Sequence, residues 1–163
     1  MALFLGCSEM RRPIQVLVYP VRLMRNEQRY LLLRRLPGRG GFWQGVTGGL
    51  EESEDVTTAA KRELVEETGF AMFSLEQTGY SYSFPVDEPY RHLYEAGVRE
   101  ITEYVFVARI DDQREPVLDP GEHVEYRWLS VSQALELLAY PENKQALREC
   151  DGLVKAWECE RDR

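Results

Sequence analysis

One stretch constrains this chain more than any other: GGLEESEDVTTAAKRELVEETGF, residues 48–70. It opens on two glycines and closes on Arg62-Glu63-Leu64-Val65-Glu66-Glu67-Thr68-Gly69. Residues 54–68 read as a helix, with Ser53 a good N-cap. On a wheel of about 100° per residue, Val56, Ala59, Ala60 and Leu64 form an apolar face. Glu63, Glu66 and Glu67 project into the same sector, so the inward face turns acidic over its last two turns. Acids at these spacings repel one another, and they sit at the helix end where the macrodipole disfavours anions.

Two readings of the cluster stand. One is a solvated acidic face, which should lie opposite the apolar residues. The other is a divalent-cation site, for which carboxylate oxygens are the ligands Mg2+ requires. The overlap with Val56, Ala60 and Leu64 favours the second. The spacing adds to it. Gly48, Glu54, Arg62, Glu63, Leu64, Glu66, Glu67, Gly69 and Phe70 fall at every fixed position of one motif, the Nudix box. The chain resembles a Nudix hydrolase. That resemblance implies hydrolysis of a nucleoside diphosphate linked to another group, with Mg2+ (or Mn2+ in its place) held on the box helix. Ser53 departs from the glycine that many members carry there.

Composition narrows the function further. The formal charge of −8 argues against non-specific nucleic-acid binding, which needs Lys and Arg to neutralise phosphates. An acidic chain can still take a polyphosphate when metal ions bridge the two sets of anions. Cys7, Cys150 and Cys159 have no paired spacing and fit reduced thiols in the cytoplasm. No segment is apolar for long enough to cross a membrane, and the apolar run at residues 1–7 is too short for a signal sequence. At 163 residues the chain is the length of a single domain.

Strand patterns fall at residues 14–19, with Ile14, Val16 and Val18 on one face, and at residues 30–33, after a turn at Asn26-Glu27. Residues 36–41 form a flexible loop without the spacing or the following helix of a dinucleotide fingerprint. Residues 42–47 lead to Gly48. Tyr80 to Phe84 alternate aromatic and small polar residues as a strand does. Residues 101–110 are the longest strand pattern, with Tyr104, Phe106, Ala108 and Ile110 on one face. An acidic loop spans 111–123, and 124–129 alternate again. Ser130 and Gln133 make a capping box for a helix with Val131, Ala134, Leu135 and Leu138 inward. Pro141 starts a second helix with Ala146, Leu147 and Cys150 inward, which Gly152 is expected to interrupt. The order predicts an α+β fold, one mixed sheet sandwiched between helices. The resemblance implies the same architecture.

The residues can support phosphoanhydride cleavage. Glu63, Glu66 and Glu67 supply metal ligands, and bound ions stabilise the charge that develops on phosphate oxygens. Arg62 lies four residues before Glu66 and can hold it by a charge-assisted hydrogen bond. Gly48 permits an unusual backbone angle or a close approach of the chain. In the family Glu54 braces this arrangement, and a main-chain carbonyl near the glycine, here Thr47 or Gly48, joins the metal shell.

Residues 42–52, Gly97-Val98 with Thr102-Glu103, and Glu122-His123 with Tyr126, Trp128 and Leu129 are similar to one branch of the family. That branch hydrolyses dihydroneopterin triphosphate and, more slowly, dATP. The similarity covers about residues 11–147. It implies that Glu122 is a further metal ligand and catalytic acid, and that Arg34, Thr47, Arg11 and Phe84 touch substrate. The implied reaction turns a pterin or nucleoside triphosphate into a monophosphate and pyrophosphate, in folate synthesis or nucleotide-pool control, by a monomer or homodimer. The rival readings are a dinucleotide or sugar-nucleotide hydrolase on the same box, and a non-catalytic module that senses a nucleotide. His92 and His123 have no metal-like spacing and read as loop or packing residues.

Overall fold

A computed structural model describes residues 10–25 and 27–163. The run at residues 1–7 with its Cys7, and Asn26 of the expected turn, lie outside the described residues. Among the described residues, seven strands form one mixed sheet. β1 (Ile14–Leu23) runs through its middle, parallel to β6 (Glu100–Ile110). On its other side it pairs antiparallel with β4 (Val46–Gly49) over its first half and with β2 (Gln28–Arg35) over its last residues. β5 (Phe73–Pro85) closes the edge beside β6, while β3 (Trp43–Gln44) and β7 (His123–Leu129) flank β2.

β1 is buried from Val16 to Val21 because both faces of the sheet are covered. Its alternation sorts the core into two layers. Val16 and Val18 join Leu31, Leu33, Phe106 and Ala108 against Ala59, Ala60 and Leu64 of α1 (Val56–Thr68). Leu17, Tyr19 and Val21 join Leu32, Val105 and Val107 on the opposite face. There they meet Ala134 and Leu138, at α2 (Val131–Leu137), and Leu147, Cys150 and Val154 of α3 (Pro141–Arg161). This is the sheet between helices that the sequence order predicts. Among the described residues no helix is long and apolar enough to cross a membrane.

Several local expectations change; β5, which begins at Phe73, and not β6 is the longest strand among the described residues. α1 starts at Val56, and its cap is Asp55, whose carboxylate accepts from the Thr58 amide at 2.7 Å. Ser53 does not cap; it takes a φ of 59°, the left-handed turn geometry that favours glycine. Gly152 does not interrupt α3, which continues to Arg161. A helical glycine costs about 1 kcal/mol, and Leu147, Cys150, Val154 and Trp157, packed on both sides of it, outweigh that. The capping box of Ser130 and Gln133 forms as expected.

Candidate active site

β4, α1 and the turn into β7 bring Thr47, Gly48, Arg62, Glu63, Glu67 and Glu122 to one cleft of about 380 Å³. Glu67 forms its floor. It is 4% exposed, and its Oε2 has no hydrogen-bond partner among the described residues. Burial raises its pKa to about 9, and the charges of Glu63 and Glu122 push the same way. Glu63 is raised to about 7 by burial, partly offset by its bond from Arg62. Gly48 sits directly over Glu63: a Cβ built on it would overlap the Glu63 carboxyl carbon. The glycine is there for close approach, since its φ is not positive.

Arg62 ties the acids together. Its Nε and one terminal nitrogen donate to the two oxygens of Glu54, each at 2.8 Å. The terminal nitrogen that reaches Glu54 also donates to the Gly49 carbonyl at 2.9 Å, and the other donates to Glu63 at 2.8 Å and to Glu66 at 3.3 Å. Glu54 is lowered by these bonds, and Arg62 is raised by them. The bidentate geometry and the 8% exposure of the Glu54 side chain separate this from a surface ion pair. Glu66 departs from the expected inward set: its side chain is 56% exposed and does not line the cleft. It stands about 100° from Glu67 on the helix, which carries it to the border of the buried sector.

His123 also departs, in the other direction. One of its nitrogens, a Glu67 oxygen and a Glu122 oxygen lie within 4.8 Å of one another. Neither ring nitrogen has a hydrogen-bond partner among the described residues. Burial holds the imidazole pKa below its usual value, against the pull of Glu122.

Arg11 and Thr47 line the cleft as expected; Arg34 and Phe84 do not. Arg34 donates to the Gly41 carbonyl at 3.2 Å and faces Glu125 at 3.6 Å. Phe84 packs with Val86, Tyr94 and Ile101 in a separate small cluster. Sequence reasoning missed Arg12, Gln15, Arg39 and Tyr94, which complete the walls. Arg12 is engaged, donating to the Glu54 carbonyl at 2.6 Å. Among the described residues, neither Arg11 nor Arg39 makes an ion pair. Arg39, a lone cation in a glycine-rich loop beside the box, was the one with a readable signal.

A family model, the NUDIX domain, matches residues 13–150. The chain belongs to the Nudix hydrolase family. It is 32% identical over 143 residues to the dihydroneopterin triphosphate diphosphatase of Escherichia coli, covering 85% of this chain and 92% of that one. A solved structure of the E. coli dihydroneopterin triphosphate pyrophosphohydrolase superposes with a TM-score of 0.68 at 33% identity, over 85% of this chain and 94% of that one. An octanoyltransferase of Myxococcus xanthus is 38% identical over 127 residues, or 76% of this chain; the match spans only 31% of that relative's length.

Nudix hydrolases use divalent metals, and the residues of this Nudix site fit one. The fit rests on the unpartnered Glu67 Oε2, on the neighbouring Glu122 and His123 donors, and on Glu63 nested against a glycine. Buried polar atoms are almost always hydrogen-bonded, and carboxylate oxygens with an imidazole nitrogen facing one space are groups a divalent cation can take as ligands.

Proposed function

We propose that this Nudix domain, residues 1–163 as a single unit, is a divalent-cation-dependent pyrophosphohydrolase. It would cleave an organic triphosphate to the monophosphate and pyrophosphate. Dihydroneopterin triphosphate is the first substrate candidate, and dATP or another dNTP the next. The observation that carries the reading is a buried Glu67 carboxylate oxygen, without a hydrogen-bond partner among the described residues, in a cleft that Arg11 and Arg39 also line. Acids and cations lining one cleft suit a polyphosphate bridged to the protein by metal. The name of the E. coli relative supports the choice of triphosphate.

In this reading Glu63, Glu67 and Glu122, with Glu66 at the rim and a main-chain carbonyl at Thr47 or Gly48, hold Mg2+ or Mn2+. The ion supplies neutralisation of the charge that builds on the phosphate oxygens. Glu54 fixes Arg62, and Arg62 in turn fixes Glu63. Arg11 and Arg39 orient the phosphate chain, and Thr47 contacts it. The proton of the attacking water passes to a carboxylate of the cluster. Arg34 and Phe84 lie outside the cleft lining.

Phosphate release, measured with and without added pyrophosphatase over pterin, purine and pyrimidine triphosphates, a dinucleoside polyphosphate and a sugar nucleotide, tests this. The expected result is colour from triphosphates only when pyrophosphatase is present. Turnover of the dinucleotide or sugar nucleotide alone would move the substrate class. Silence across the whole panel, with nucleotide binding intact, would leave a sensor.

A further inference from the structure

Glu122 and His123 are consecutive, yet both reach Glu67. Glu122 lies in the turn before β7, and His123 is the strand's first residue. In β7, Tyr126 and Trp128 pack on the α1 side of the sheet, so unbroken alternation would aim Val124 there and His123 away. The pairing with β2 slips at this point: Arg34 faces Glu125, but Arg35 faces His123, leaving Val124 as an extra residue. Val124 is pushed out to 50% exposure, and His123 takes the inward position. Bulges of this kind re-aim side chains next to active sites.

The position that results is 3% exposed, with both imidazole nitrogens unpartnered among the described residues. Packing alone gives no reason for an imidazole there, since an apolar ring or chain would fill the space without stranding two polar atoms. One of these nitrogens lies within 4.8 Å of a Glu67 oxygen and of a Glu122 oxygen. These are two carboxylate oxygens and one nitrogen, a mixed donor set. Donors that share one ion at about 2.2 Å lie up to roughly 4.4 Å apart. The present group, all within 4.8 Å, needs only a small rotamer adjustment.

We propose that His123 is a nitrogen ligand of the cation site, acting with Glu67 and Glu122. It gives the site a greater intrinsic affinity for Mn2+ or Co2+ than for Mg2+. An all-oxygen site suits Mg2+, whereas imidazole favours ions later in the transition series. The inference rests on the cation site proposed above and adds its ligand chemistry.

The test uses the untagged chain loaded with Mn2+. Its two histidines are His92 and His123, and His92 is exposed on a separate turn, Glu88–Leu93. Pulsed EPR should show an imidazole nitrogen coupled to the bound Mn2+, and the signal should change when histidine is labelled with 15N. Titrations then compare ions. His123→Gln should weaken Mn2+ binding by about 10-fold or more, and Mg2+ binding by less than about 3-fold. Bound Mn2+ without histidine coupling in the parent protein overturns the proposal, even if His123→Gln fails to fold. Equal losses for the two ions overturn it too. Glu67→Gln separates the two readings: if it leaves Mn2+ affinity unchanged, the cation site itself falls. If it abolishes binding while histidine coupling is absent in the parent, only the ligand assignment falls.

Discussion

The two faces of the sheet both bury carboxylates, and they treat them differently. On the α3 face Asp151 accepts from the Tyr30 hydroxyl at 2.7 Å and meets Lys155 at 3.0 Å. Glu103 accepts from the Tyr82 hydroxyl, Tyr82 accepts from the Asn143 amide at 2.8 Å, and the Asn143 carbonyl accepts from Tyr19 at 2.9 Å. Every polar group named there has a protein partner, and the network pins α3 to the sheet. On the α1 face Glu67 and His123 have buried polar atoms with none among the described residues. A satisfied buried network holds a fold in one arrangement; an unsatisfied one is a standing cost that a bound species must offset. The same burial therefore serves stability on one face and binding on the other.

The largest expected effect lies on the α1 face. Glu67→Gln should reduce turnover about a thousandfold, the equivalent of ~4 kcal/mol of lost transition-state stabilisation, while the melting temperature without metal stays within a few degrees of the parent. Initial rates at saturating Mg2+ or Mn2+ check this, and near-parental rates would erase the contrast between the faces. Next, Gly48→Ala should push the Glu63 carboxylate aside and lower kcat on the order of 100-fold, the scale of a misplacement of about 1 Å. Full activity in that variant would mean that Glu63 can move without cost.

On the α3 face the effects should be on stability alone. Tyr30→Phe removes the donor to a buried Asp151 oxygen and should cost about 1–3 kcal/mol in denaturant unfolding, with kcat unchanged. A loss of kcat there would show that the two faces are coupled. The last effect is a pH dependence at Glu103, whose pKa burial raises from 4.5 to about 7. A carboxyl with a raised folded pKa contributes stability that is fully present below its unfolded value and is lost as pH rises through the folded one. Glu103→Gln should therefore gain a few degrees of melting temperature relative to the parent between about pH 5 and pH 8. An unchanged difference across that range would mean that Glu103 stays protonated throughout.

Much of the fold was legible because period matched element. β1 alternates Val16 and Val18 against Leu17 and Tyr19, and those pairs face opposite helix layers. Ser130 and Gln133 close their box as any such pair does when a helix follows. Gly152 misled because local propensity is small beside the burial of its neighbours. Arg34 was expected at the site through resemblance, but its position on β2 turns it to Glu125 and Gly41.

The sequence by itself determined the acidic helix, its bracing arginine and the family to which both belong, because those groups stand at fixed intervals on one element. It could not say which acids turn inward. A wheel places Glu66 and Glu67 in one broad sector, and only packing against the sheet leaves the first in water and seals the second. It leaves His123 as a loop or packing residue for a related reason. One extra residue in β7 reverses the face of a side chain, and that slip exists only in the pairing between β2 and β7.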